Sequence, residues 1–350
     1  MKKYLVILIC ALSLTAASCD LFPAKSAGVI KTSNGGIDWQ ASNTLKDNKG
    51  TIGGLSISKL TFDPQGTDIL YASSVTGGLY KSNDGAATWE EILGQIAIVD
   101  FVVHPTDSQT IYAGGSFDNK ARALLTKDGG KSWNAIYTAA VSGTAVRAVA
   151  LNPNDPTQVA IGMSSGELIV SNDSGATWKL AQNYNDRISK ILWMTDGIYI
   201  LVKDTGIFKS TDSGNSFQQI TASLQSAGNT STLSIFGNGI SNYNQMAISA
   251  NNTGNIYVTT NLGLYHSGNG GISWNFVSMP LKQQSQPPTA IAIAPSSDNT
   301  LYVSSGSIVY KSTDSGGAWS AIDTKVGNLI NSILIDPTLP QVAFAGVFAQ

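Results

Sequence analysis

Lys81-Ser-Asn-Asp-Gly-Ala-Ala-Thr-Trp89 is the stretch whose reading decides the fold, because versions of it punctuate the chain at 31–39, 125–133, 170–178, 209–217, 266–274 and 311–319. The shared pattern is Ser/Thr-x-Asp/Asn, two or three small residues, a small polar residue, then Trp or Phe. Aligned on Asn34, Asp84, Asp128, Asp173, Asp212, Asn269 and Asp314, the steps are 50, 44, 45, 39, 57 and 45 residues. A period near 45 residues is the signature of a repeat architecture and takes precedence over any local reading.

Working outward from each box, the same strand signals recur. An apolar strand ending in a turn is expected at 57–64, 98–105, 146–153, 188–195, 243–250, 288–295 and 330–337, and five of the seven finish in Pro. Proline cannot continue a central strand, so it marks the turn. A second strand follows at once, a third enters the box at Gly78-Leu-Tyr80 and its equivalents, and a fourth leaves after the aromatic residue. Four short antiparallel strands per period predict an all-β, seven-bladed propeller. The inner strands are apolar or small on both faces (Leu60, Thr61, Phe62; Ile291, Ala292, Ile293), as sheets sandwiched between neighbours require. The chain ends make the count close. The N-terminal part supplies the last two strands of a blade and the C-terminal part the first two, so one blade is shared between the termini and no sheet edge is left free. One propeller domain is expected over 28–350.

Composition excludes other classes. The chain is 42% hydrophobic and 13% charged, with 35 Gly and a formal charge of −2, which describes a turn-rich β protein with no basic face for nucleic acid. Residues 1–18 read as a targeting segment, with Lys2 and Lys3, an apolar run over 4–14, and small residues before Cys19. Ala16-Ala17-Ser18-Cys19 resembles the lipobox of bacterial lipoproteins, although Ala16 stands where Leu is usual. The resemblance implies acylation of Cys19, a tethering spacer over 19–27, and attachment to a membrane of the cell envelope through the N-terminal lipid alone. A secreted or periplasmic soluble form is the alternative. Cys10 falls in the targeting segment, so Cys19 is the sole cysteine expected after cleavage, with no disulfide or thiolate metal site. No cofactor and no metal are expected, and the ring is expected to be a monomer.

The boxes resemble Asp-boxes, the bacterial neuraminidase repeats, over essentially the whole chain from Gly28. Their residues (Asn34, Trp39, Ser82, Asp84, Trp89, Asp128, Trp133, Asp173, Trp178, Asp212, Phe217, Asn269, Trp274, Asp314, Trp319) read as structural. The carboxylate can accept from turn N–H groups and from the hydroxyl two residues earlier. The aromatic residue is expected to bury a flat surface between blades, with each site contributing on the order of a few kcal/mol. Asn34 and Asn269 keep the acceptor without the charge, which suits hydrogen bonding and not metal binding.

Chemistry is harder to find. A sialidase-like site needs three arginines, a tyrosine–glutamate nucleophile pair and an acid–base aspartate, whereas this chain has only Arg122, Arg147 and Arg187 and no Arg-Ile-Pro element. Xyloglucanase-type enzymes, which the repeats also resemble, place their aspartates across two propellers, and sortilin-type receptors use a larger ring. Photosystem II assembly and stability factors are closest in plan, but their arginine-rich patch is not evident in the sequence. His104 precedes a turn Pro and reads as a turn cap. Registering the inner strands places Lys59, Asp100, Ala148, Lys190, Gln245, Ala290 and Ser332 equivalently near the channel mouth, opposite the boxes, with Arg147 and Arg187 beside them. The loop at 183–187 adds Tyr184 and an Asp186–Arg187 ion pair. The loop at 115–122 contributes Phe117, Asp118 and Arg122, and an insertion over 221–243 contributes Leu233 and Phe236. The expectation is a non-catalytic module binding a protein or glycan at the mouth. The alternatives are a glycoside hydrolase and a passive surface protein.

Overall fold

The computed structural model describes residues 28–227, 240–281 and 286–348. The targeting segment, Cys19 with its spacer, and most of the insertion with Leu233 and Phe236 lie outside them. Seven antiparallel four-stranded sheets form a seven-bladed β-propeller. Blade 1 runs Ile57–Asp63, Gly66–Ser74, Gly78–Ser82 and Glu90–Leu93, and blades 2 to 6 repeat that order from Ala97, Val146, Ile188, Tyr243 and Ala290. The first strands touch one another in an unbroken cycle, which makes them the inner wall of the ring. Blade 7 is shared as expected: Leu329–Ile335 and Ala343–Phe348 pair with Gly28–Thr32 and Gln40–Ala41. Gly28–Thr32 runs antiparallel to the last strand, with Ile30 opposite Ala345, so the termini close the ring by a hydrogen-bonded ladder.

Hydrophobic burial sits between blades. Seven apolar clusters of described residues each draw on two adjacent blades, such as Tyr71 and Leu79 of blade 1 with Phe101 and Ile111 of blade 2. Each cluster also takes in the box aromatic of the later blade. The expectation of buried box rings needs refinement, because Trp89 is 1% exposed while the other box aromatics are half-buried. Four of the six box tryptophans are held by a directed bond to the preceding blade as well as by area. The indole N–H of Trp133 donates to Ile92 O (2.8 Å), that of Trp178 to Ile136 O (2.8 Å), that of Trp274 to Ile220 O (2.9 Å) and that of Trp89 to Ser42 O (2.7 Å). Each acceptor lies in the outer part of the preceding blade.

The boxes are self-contained turns. Ser82 Oγ donates to Asp84 Oδ1 (2.8 Å) and accepts from Ala86 N (2.9 Å), while Thr88 gives its N–H to Oδ1 and its hydroxyl to Oδ2. Ala86 holds φ +69° where six other boxes use glycine at positive φ, a strain its buried methyl offsets within the core. The Asn substitutions are chemically matched. Asn269 Nδ2 donates to Ser273 Oγ (2.8 Å), and in the first box Asn34 Nδ2 donates to Asp38 Oδ2 (3.0 Å), so donor and acceptor have exchanged places.

The carboxylates record these bonds. The Thr177 hydroxyl and backbone N–H, then the Ser171 hydroxyl, hold Asp173 down to about 2. Ser216 and Ser210 do the same for Asp212. A depressed folded pKa gives stability that is present above the unfolded carboxylate value, near 4, and lost as pH falls through about 2. Asp173→Asn keeps the acceptor for Thr177 N and supplies an amide donor, as Asn269 does naturally. Its melting temperature at pH 7 is expected within a few degrees of wild type, with a shallower decline between pH 4 and pH 2. Melting curves with the same slope in both proteins would remove the box carboxylate from the acid-sensitive set.

Candidate functional site

The turns between outer and next inner strands, and those between second and third strands, lie on the face opposite the boxes. Most sequence-derived candidates gather on this mouth face. A bulge explains how. In six blades the register of the inner strand slips by one residue at the same point, between Ile57 and Lys59, Ile98 and Asp100, Val146 and Ala148, Ile188 and Lys190, Tyr243 and Gln245, and Ile330 and Ser332. A bulge twists the strand and re-aims its side chains. Here it puts the predicted ring of residues at the channel.

That ring ties blades together. Lys59 Nζ of blade 1 reaches Asp100 Oδ1 (2.6 Å) and Phe101 O (2.7 Å) of blade 2. Asp100 accepts from Phe101 N on Oδ1 and from Val149 N of blade 3 on Oδ2 (both 2.8 Å). Lys190 Nζ of blade 4 donates to Met246 O of blade 5 (3.1 Å), and Ser332 Oγ accepts from Leu60 N across the closure (3.2 Å). Gln245 turns its amide oxygen to Met246 N of its own strand. Burial, then Lys59, brings the Lys190 ammonium down to about 8, with Asp100 opposing the shift. Lys59 and Lys190 belong to blades 1 and 4, so this coupling runs across the channel.

Two candidates take other roles. Tyr184 packs against Phe208 at 4.7 Å with the rings tilted and meets Phe217 edge-on at 6.1 Å, which makes it part of the apolar cluster between blades 3 and 4. Asp186 is not ion-paired to Arg187. Its oxygens accept from Arg187 N and Asp204 N (both 2.7 Å), because the turn at 203–205 needs a cap. The loop expected at 115–122 is instead an extended hairpin. The strands Asp107–Phe117 and Lys120–Thr126 meet at Asp118 and Asn119, both at positive φ, and Arg122 lies over the Phe117 ring and within 3.7 Å of Asp118. His104 caps its turn through Nδ1 and Thr106 N (3.4 Å).

Arg147 and Arg187 stand apart. Neither guanidinium has a hydrogen bond or ion pair among the described residues, and the Nε of each is buried without a partner. Burial lowers the Arg147 pKa, the Arg187 charge lowers it further, and Asp100 acts against both. Two surface clefts lie elsewhere. One of about 190 Å³ sits between blades 6 and 7 beside Ser305 and Asn328, and one of about 400 Å³ sits on the box face beside Ile37 and Trp319. Sequence reasoning missed the residues just before the mouth positions (Ser58 and Asn244 in bulges, Thr289 at the equivalent place), although a polar residue stands there in every blade but the second, which has Val99.

The comparisons with known proteins follow this geometry. Residues 77–195 match the family model described as Sortilin, neurotensin receptor 3 (Sortilin-Vps10). An oligoxyloglucan-reducing end-specific xyloglucanase of Emericella nidulans is 23% identical over 299 residues, covering 71% of this chain and 35% of that protein. The chain spans about a third or less of the length of the curated relatives it matches. Among solved structures, a GH74 xyloglucanase from Xanthomonas campestris superposes with TM-score 0.67 at 17% identity, covering 84% of this chain and 51% of that one. YCF48 bound to D1 peptide superposes with TM-score 0.62 at 16% identity, covering 84% and 94%. These matches fit the propeller superfamily that the boxes suggest, and at such identities the structural likeness establishes the fold.

Removal of the Asp100 carboxylate tests the ring of ties. Asp100→Ala leaves Val149 N without its acceptor and Lys59 without its counter-charge, and is expected to cost roughly 2–4 kcal/mol in urea unfolding. Lys59→Met is expected to cost less, since the Lys59 side chain is a third exposed. Equal and small losses from both would show that Asp100 does not tie the inner strands together.

Proposed function

We propose that this chain is an exported, lipid-anchored ring that binds a protein or glycan at its channel mouth and does not hydrolyse it. The observation that carries the reading is the pair Arg147 and Arg187, whose guanidiniums are left unpaired beside the channel. A partly buried cation whose N–H groups lack partners is costly, and such sites persist where a ligand supplies the missing charge. The relative of matching length, YCF48, is solved with a D1 peptide bound, which favours a peptide-bearing partner. A hydrolase is the second reading, favoured by the GH74 likeness, but this chain corresponds to about half of that enzyme. Asp100, the channel carboxylate, already has its oxygens engaged by two N–H groups and Lys59.

The experiment is affinity capture from envelope extracts with wild type and with Arg147→Glu/Arg187→Glu, alongside a turnover screen on xyloglucan oligosaccharides and fluorogenic sialosides. A partner held by wild type and lost from the double variant is expected, with no turnover, and with wild type but not Cys19→Ala in the membrane fraction. Turnover by wild type, or the same partner on both baits, would defeat the reading.

A further inference from the structure

In three blades the residue just before the mouth position clips its blade to the next. Ser58 Oγ donates to Ile98 O (2.9 Å), Asn244 Nδ2 to Pro288 O (3.0 Å) and Thr289 Oγ1 to Ile330 O (2.8 Å). The three acceptors are equivalent, each two residues before the mouth position of its own blade (Asp100, Ala290 and Ser332). Blade 3 has Arg147 at the clip position, and the equivalent acceptor is the carbonyl of Ile188, directly after Arg187. Arg147 makes no bond to it among the described residues. A long cation has replaced a short clip, and a second cation stands where the clip would land.

The surroundings deepen the positive potential. Lys59 and Lys190 reach into the same channel, and Asp100 is the carboxylate whose charge acts on Arg147 and Lys190 alike. Four cations outnumber the carboxylates beside them, Asp100 and the turn-capping Asp186, on a chain whose formal charge is −2. The pairing of like charges with buried, unpartnered N–H groups raises the energy of the empty site. An oxyanion removes both costs, because the guanidinium fork presents parallel donors to two oxygens at once. A dianion offsets the whole of that excess, a single carboxylate only half of it.

We propose that Arg147 and Arg187, supported by Lys190, bind a doubly charged tetrahedral oxyanion, either free phosphate or sulfate or the phosphate group of a larger ligand, at the mouth between blades 3 and 4. This rests on the mouth being the binding face, and it specifies the chemistry that the mouth recognises.

Calorimetric titration of the full chain with inorganic phosphate, sulfate, glucose 6-phosphate and malonate tests the site. One phosphate or sulfate per chain is expected. Arg147→Ala and Arg187→Ala are each expected to weaken binding at least about tenfold, or 1.4 kcal/mol. Arg187→Lys, which keeps the charge but not the fork, is expected to give an intermediate loss even if the alanine variants fold poorly. Lys127→Ala, exposed in the box at 125–133 on the opposite face, is expected to bind as wild type does. Glucose 6-phosphate binding more tightly than inorganic phosphate would place the group on a larger ligand, and equal affinities would identify the free ion. Both results support the site. The proposal is overturned if neither phosphate nor sulfate saturates, if Arg187→Ala and Arg187→Lys both bind as wild type does, or if malonate binds more tightly than phosphate. A partner captured at the mouth that excess phosphate fails to displace would overturn this inference and leave the binding reading intact.

Discussion

A blade of four short strands presents two apolar faces and can bury neither by itself, so each sheet depends on a neighbour on both sides. The ring meets that condition, and blade 7 shows how strictly, since its four strands come from opposite ends of the chain. The box tryptophans then fix how neighbours dock. Each ring extends the apolar seam, and four of the six indole N–H groups find a carbonyl in the preceding blade, at Ser42, Ile92, Ile136 and Ile220, while Trp319 donates to Gly316 O of its own box. Lysines at the start of boxes add ties in the other direction, from Lys31 to Gly85 O and from Lys311 to Gly35 O.

These ties are distributed unevenly. Phe217 has no N–H to give, and Arg147 does not clip, so the seam between blades 3 and 4 rests on its apolar cluster of Ile188, Ile191, Ala148 and their neighbours. That seam also carries the unpaired arginines. A site that concentrates like charge in place of a clip differs from blades 1, 5 and 6, where Ser58, Asn244 and Thr289 give their polar groups to the next blade.

Much of the fold was legible because its determinants are local and repeated. The hydroxyl, carboxylate and glycine of each box lie within five residues, and seven copies in register reveal the period and the shared blade. The mouth was legible as a set of positions, since Lys59, Asp100 and Lys190 follow from strand register. Their partners were not, because Lys59–Asp100 and Asp100–Val149 cross from one blade to the next, and which side chain finds which depends on the bulge. The same holds for Tyr184 and Asp186. Read along the chain they suggest an aromatic platform and an ion pair, yet one fills the inter-blade core and the other caps a turn.

Native-state hydrogen exchange across the ring tests the dependence of every blade on its two neighbours most directly. The account predicts that amides of Gly28–Thr32 and Ala343–Phe348 open with the same free energy as those of the inner strand Ile57–Asp63, within about 1 kcal/mol, because the closure blade is part of one cooperative unit. Exchange of the closure strands at a free energy several kcal/mol lower, with blades 1 to 6 still protected, would contradict it.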